Sequence, residues 1–507
     1  MENTIFNKIK KIDFFLIFIY IYLFLPLILF ASLWLKPIYA ILIDALIVFG
    51  IYKSIKVETP LWRPEKNKDN IVKLVLILFF IVLWIITSGV GSSVTQYPDH
   101  LYRNALFRML IDHDWPVRLT YNGNTKAMSY YIGFWLPAAL VGKITSYQFA
   151  FLFLQIWSVI GIFITLYLIF ERKGQIKIWY FIVFVFFGGA DAIGFNLIGK
   201  VFDQLGNRYE WWAINYNYPG FMTSVFWVYN QVIYAWVTTL MILRQKRNDN
   251  IVFIWSTSLL NCTFPAVGII PFGFYRAFKN EKGKYYVDIV KKALLNALTW
   301  QFLVGFILAL MSSLYLLSNI NVIKYMNIID SSNNLISTSR TFLTYDVILY
   351  DFSAYPWTTR LYNYLWFVFI EFIIHFIIIY KSQSNKSLYW LTLIVLLICP
   401  LIEIGGWIDF CMRGSIPALL CLYLMVIDAI EDYSANNQKT MLSLLISFLV
   451  ICSITCYDTL LGVMQPMANN LWDGTKVTAD AFSEEYVFNA NNFFSSNDTF
   501  FFKYLAR

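Results

Sequence analysis

The sequence predicts an all-α fold, a polytopic transmembrane helical bundle, from its composition, the spacing of its apolar runs and the placement of its charge. Of 507 residues, 59% are hydrophobic and only 14% charged, whereas soluble domains carry about 45–50% apolar and about 25% charged residues. Apolar runs near the ~20 residues needed to cross a bilayer recur along the whole chain. Lysine and arginine collect in the short connectors between those runs, as they do in loops held on the cytoplasmic side. These features exclude a cytosolic enzyme, a disordered chain and a nucleic-acid binder. The net charge of +8 belongs to the connectors.

In chain order, apolar runs place spans at 14–35, 38–52, 74–89, 147–170, 179–198, 224–243, 293–317, 361–380, 388–404, 416–430 and 441–463, about eleven in all. The first follows Lys8, Lys10 and Lys11. It is too long for a signal-peptide core and reads as a retained span. The N-terminus and the connectors 53–73, 171–177, 244–250 and 276–292 are basic and should share the cytoplasmic face. Alternation puts them there under two conditions. Segment 130–143, with Pro137, must lie in the interface, and 251–275, interrupted by Pro265 and Pro271, must enter and return as two half-helices. Such irregular backbone is tolerated at membrane depth when protein or a cavity surrounds it. The outward segments are then 90–129, 200–223, 318–360, a turn at 405–415 and the tail 465–507, which follows a membrane domain spanning 1–464. The six cysteines are scattered without CxxC spacing, and three histidines offer no zinc pattern.

The polar residues that call for explanation gather at the outer boundary. Asp99 and His100 stand just past a span, ahead of an alternation of Leu101, Ala105, Leu106, Met109 and Leu110 with Arg103 and Arg108. That spacing predicts an amphipathic helix in the headgroup layer. Asp99 at its start is both a natural N-cap and a candidate general base. Asp191, in FFGGADAIGF, carries charge near the outer end of a span, where an acid is usually functional or paired. Glu371 and His375 share a helix face four residues apart and read as a mutually satisfied contact in preference to a proton relay. Glu210, Trp211 and Trp212 combine a carboxylate with aromatic planes, as sugar recognition requires and as an aromatic belt also provides. GGWIDFCMRGSIPALL sets Asp409 and Arg413 at an outer boundary. Arg413 there suits a lipid phosphate or a snorkelling anchor. P-loop, dinucleotide and HExxH motifs are absent.

Asp99-His100 opening a long outer loop, followed by DWPV, YYIGFWLPAALVGKI, TFP and RGSIPALL, resembles the GT-C superfamily of polytopic glycosyltransferases, in its uncharacterised bacterial members. The chain departs from that pattern in two extra spans before the loop and in a short tail where many members carry a soluble domain. The resemblance implies an inverting transferase of the bacterial plasma membrane, with its active site facing outward. It would move a sugar from a polyprenyl-phosphate carrier to a glycan or lipid acceptor, with membrane lipids as surroundings and no nucleic acid as partner. Asp99, with His100, would be the base or a ligand of a divalent cation. Arg413 would hold the donor phosphate, and Asp191, Glu210, Trp211 and Asp409 would serve sugar or acceptor. A polysaccharide polymerase or ligase shares that lipid chemistry. A secondary transporter or flippase is the reading from another class, which internal repeats and midplane charge would favour.

A cysteine introduced at Lys173 should be labelled only from the cytoplasmic side by an impermeant thiol reagent, and outside labelling would reverse the orientation.

Overall fold

The computed structural model describes residues 13–94, 96, 99–121, 124–198, 209–213, 216–283, 285–319, 326–329, 335–339, 357–402, 409–468 and 493–507. Its helices run α1 (Phe14–Trp34), α2 (Pro37–Val57), α3 (Lys68–Thr87), α4 (Asp99–Asp112), α5 (Leu136–Ile144), α6 (Tyr147–Lys173), α7 (Ile178–Val185), α8 (Asp191–Leu197), α9 (Phe221–Leu243) and α10 (Ile251–Asn261). They continue as α11 (Thr263–Lys279), α12 (Tyr286–Ala297), α13 (Trp300–Leu317), α14 (Trp357–Val368), α15 (Ile374–Gln383), α16 (Ser387–Ile398), α17 (Asp409–Gly414), α18 (Ile416–Ala435) and α19 (Lys439–Ala468). The chain is an all-α multi-pass membrane protein. Among the described residues, nine helices are long and apolar enough to cross a bilayer, α14–α15 and α17–α18 each counting as one.

Each helix begins and ends for a local reason. Asp13 caps α1 by accepting from the Phe15 and Leu16 amides, and its other oxygen accepts from Leu61 N–H at 2.7 Å. Asn67 caps α3 from the Asn70 amide. Gly174 ends α6 at φ +65°, a left-handed C-cap that glycine adopts at little cost. Val75, Phe79, Ile41 and Val48 on α2 and α3 are exposed, as lipid-facing residues should be. The whole apolar stretch of α9 is buried, which makes it the central post of the bundle.

Several spans differ from the sequence expectation. The run 179–198 is two short helices, α7 and α8, parted by FFGGA. The reason is close approach: a Cβ at Gly188 would lie 3.1 Å from Gly220 Cα, and one at Gly189 only 1.8 Å from Glu371 Oε2. The run 293–317 divides likewise, because Leu298 and Thr299 turn the chain between α12 and α13, and the Thr299 hydroxyl caps α13. The run 388–404 yields only the short α16 and a following turn. By contrast, 251–275 does fold back on itself. Cys262 (φ −151°, ψ 71°) separates α10 from α11, and Asn248, just before α10, donates to Ala277 O and Glu281 at the far end of α11.

The basic connectors meet at one end. Arg244 binds both Glu58 and Glu171, the latter at 2.9 Å. Arg172 makes a two-pronged bond to Asp428 at 2.9 and 2.6 Å, joined by Lys173 at 2.9 Å. Lys177 reaches Glu431 at 2.9 Å. At the opposite end, β1 (Arg118–Tyr121) and β2 (Asn124–Met128) form a hairpin, and β5 (Phe494–Ser496) adds a third antiparallel strand with Ala127 opposite Ser495. Residues 493–507 belong to this packed end: Phe501 is buried against Phe30 and Tyr315, and Arg507 N–H donates to Trp34 O at 3.0 Å. A second hairpin, β3 (Met326–Ile329) with β4 (Leu335–Ser339), lies within 318–360, whose last four residues open α14; 320–325, 330–334, 340–356 and 469–492 lie outside the described residues.

Replacing Arg244 by Met leaves the Glu58 and Glu171 carboxylates without their cation, at a cost of about 3–5 kcal/mol. The apparent unfolding temperature in detergent should drop sharply, and adding Glu58→Gln with Glu171→Gln should restore most of it.

Candidate functional site

Asp99 opens α4, and its side chain lies outside the described residues. The helix forms where the spacing places it, but it is not half-exposed. Ala105, Leu106, Phe107, Met109 and Leu110 are buried, and so are His100, Arg103 and Asn104. The close seat of α5 explains this: a Cβ at Gly142 would lie 2.9 Å from Ile111, and Phe107 packs edge-on against Phe151 of α6. Segment 130–143 is correspondingly interior, with Ile132, Phe134, Trp135 and Leu136 fully buried.

His100 ties α4 to α9. Its Nε2 lies 2.6 Å from Phe226 O and its ring stacks on Tyr229 at 5.5 Å. A carbonyl only accepts, so Nε2 carries the proton, and Nδ1 faces the Gln96 amide at 3.4 Å. Helix α9 departs from helical geometry at Val228 (φ −139°, ψ 38°), between the two residues His100 touches. His100 therefore acts in this geometry as a positioning group on the break of α9.

Arg413 lies inside the short helix α17, not in a loop before a helix. It pairs with Asp409 at 3.1 Å one turn back. Residues 403–408, with Gly405 and Gly406, lie outside the described residues. Gly268 seats this helix: a Cβ there would fall 2.0 Å from Gly414 O, so α11 and α17 touch backbone to backbone. The guanidinium sits 5.9 Å over the Phe264 ring and donates to the Tyr131 hydroxyl at 3.5 Å. Tyr131 and Tyr130 bond through their hydroxyls, with ring centroids 3.7 Å apart. The charges of both Arg413 and Arg103 act on the Tyr130 hydroxyl, and Arg103 also acts on Tyr229, which accepts from Trp135 Nε1 at 2.8 Å. Two arginines more than 300 residues apart in sequence thus converge on one tyrosine pair.

The acids form a second centre. Asp191 starts α8 and is buried against Glu371, with Thr455 and Trp212 close by. Trp212 Nε1 donates to Glu371 Oε1 at 2.9 Å. Glu210, also buried, accepts from Gly220 N–H at 3.1 Å. Burial, then the adjacent Asp191 carboxylate, holds the Glu210 carboxyl well above its ordinary range, against the hydrogen bonds from Thr223 and Gly220. The Glu371 and His375 side chains turn to different partners. A π-helical turn over Phe369–Ile373 shifts the register, and His375 instead approaches Cys452 at 3.9 Å. Both line a small cavity with Gly188, Gly189 and Tyr218, with room for about one water. Trp212 turns inward, while Trp211 stays 43% exposed beside Trp227. Asn217 joins the two centres, since its amide donates to Glu210 O and its carbonyl accepts from Cys411 of α17.

Among the described residues, no three His, Cys, Asp or Glu side chains group as metal ligands. Sequence reads Arg103 only as a charge on a surface helix, Tyr130 and Tyr131 only as part of an interfacial segment and Trp212 only as an aromatic plane; nothing in their spacing marks the contacts they make here. The Gly-Gly step before Asp191 was the available sign of a helix break.

Because the folded-state Glu210 value is raised, its stabilising contribution is complete below the ordinary value of about 4.3 and is lost as pH rises through the raised one. Glu210→Gln should therefore flatten the fall of the apparent unfolding temperature as pH rises above that ordinary value. An unchanged slope would remove Glu210 as its source.

Comparison with protein-family models, curated proteins and solved structures returned no match for this chain.

Proposed function

We propose that the chain is a membrane glycosyltransferase that moves a sugar from a polyprenyl-phosphate donor to a cell-surface glycan or lipid acceptor. The reaction takes place at the end of the bundle opposite the basic connectors, the outer face of a bacterial plasma membrane. Counting α7–α8 and α16 as crossings gives about eleven passes, with α10–α11 as a re-entrant pair. The observation that carries the reading is the convergence of Arg103 and Arg413 on Tyr130 and Tyr131. Two guanidiniums, one of them paired with Asp409, beside a pair of tyrosine hydroxyls offer the donors that grip a phosphate.

The acceptor hydroxyl oxygen attacks the anomeric carbon, and the bond from that carbon to the phosphate oxygen breaks. Asp99, at the start of α4, takes the acceptor proton. The lipid phosphate leaves with the bonding electron pair, and Arg413 and Arg103 stabilise its growing charge. His100 and Arg103 stand one and four residues along α4 from Asp99, so the fixing of His100 to Phe226 O positions the base as well. Trp211, exposed beside Trp227, offers a face for a sugar ring, and Asp191, Glu210 and Asp409 serve sugar or acceptor hydroxyls.

A transporter or flippase is the second reading, and one observation favours it. Asp191 and Glu371 meet inside the bundle where a broken helix faces a π-bulge, the kind of discontinuity on which transporters build ion sites.

Purified protein incubated with a panel of polyprenyl-phosphate sugars should release sugar from one of them. Asp99→Asn should lower that rate by about 10²–10⁴-fold without loss of fold. Arg413→Lys keeps the charge but loses the planar two-pronged grip, so donor kcat/KM should fall about tenfold or more. Full activity of Arg413→Lys would discard the donor site. Donor left intact while lipid-linked sugar crosses vesicle membranes, with flux lost in Glu371→Gln, would establish the transporter instead.

A further inference from the structure

Helix α12 has no place in the transferase reading, yet its surface is unusually specific. It joins the α10–α11 pair to α13 at the basic end. One face, with Ala293, is turned to the protein, while Val287, Leu294 and Leu298 are 74%, 58% and 65% exposed. These three lie at i, i+7 and i+11, one line along a helix. Asp288, Lys292 and Asn296, at i, i+4 and i+8, mark a neighbouring polar line. Past the turn at Leu298–Thr299 the chain enters α13 directly with Trp300, Leu303, Phe306 and Leu310 exposed, the surface a crossing helix presents to lipid. Around it stand the exposed Lys279, Lys282, Lys291 and Lys292, and the described acids of segment 279–298 are Asp288 and Glu281; nearby Asp249 is paired with Arg247. Glu281 is already engaged by Asn248 and Asn296.

We propose that α12 lies in the headgroup layer of the leaflet at the basic end and binds anionic phospholipid. Val287, Leu294 and Leu298 enter the acyl boundary, and the four lysines meet lipid phosphates. The occupant is a lipid surface on two grounds: continuity with the bilayer-facing side of α13, and charge complementarity. Apolar burial and attraction to anionic headgroups act together on such a helix. The inference is independent of the reaction the protein catalyses.

The test uses the full chain reconstituted in vesicles of phosphatidylcholine alone or mixed with phosphatidylglycerol. The described native cysteines are buried, so a fluorophore on Leu294→Cys reports its own surroundings, and Asn296→Cys serves as the water-side control. Nitroxide carried on lipid chains should quench the Leu294→Cys label, and aqueous iodide should quench only the control. Neutralising Lys282, Lys291 and Lys292 to Gln should weaken phosphatidylglycerol binding by at least about tenfold, each lysine contributing up to about fivefold. Iodide quenching equal at both labels overturns the proposal, as does protection of Leu294→Cys from both quenchers, which would mean a second copy covers the face. Unchanged phosphatidylglycerol binding in the triple variant overturns its electrostatic half.

Discussion

Within hydrocarbon, every backbone N–H and C=O must find a partner inside the protein, and the architecture of this chain follows from where that rule is strained. Among the described residues, and apart from the turn at Leu298–Thr299 near the basic end, the helices are interrupted at the FFGGA segment between α7 and α8, at Val228 in α9, at Cys262 between α10 and α11, and at the π-turn over Phe369–Ile373. Each lies in the interior, and Phe187, Ala190, Val228, Cys262 and Ile370 are all buried. Lipid touches the regular helices instead, α2 and α3 above all.

The interruptions also supply the places where polar groups converge. At Val228 the carbonyl of Phe226 becomes the acceptor for His100, which fixes the start of α4. At Gly188 and Gly189 the absence of side chains lets Glu371 approach the α7–α8 break, and Asp191 and Trp212 close around it. At Cys262 the turn sets Phe264 beneath Arg413. Asn217 then ties Glu210 to α17, so the layer of buried polar contacts around Glu210 reaches the helix that carries Arg413.

That layer is held by ordinary packing on both sides. Toward the hairpin end, β5 and the Phe501 contact close over Phe30 and Tyr315. Toward the basic end, Arg244 and Asp428 gather connectors from α2, α6 and α9 in one case and from α6, α16 and α18 in the other. These ion pairs are largely shielded from water, so they fix helix ends more firmly than exposed pairs would.

The helical character of the chain, its multi-pass nature and the grouping of the basic connectors were legible in the sequence, because apolar run length and charge placement answer to the bilayer rather than to neighbouring residues. So was the fold-back of 251–275, since Pro265 bars the helix from running through the residues just before it, where Cys262 turns the chain; Pro271 is carried inside α11. The burial of α4 was not legible: its alternation with Arg103 and Arg108 fits a surface helix equally well, and only the close seat of α5 decides it. Nor did spacing reveal that Glu371 turns from His375 to Asp191 and Trp212, because the π-turn depends on what packs around it. The convergence of Arg103 with Arg413 belongs wholly to the tertiary structure. It depends on how α4 is seated against α5 and on the approach of α17 to α11 through Gly268 and Gly414, contacts that leave no periodic trace in the chain.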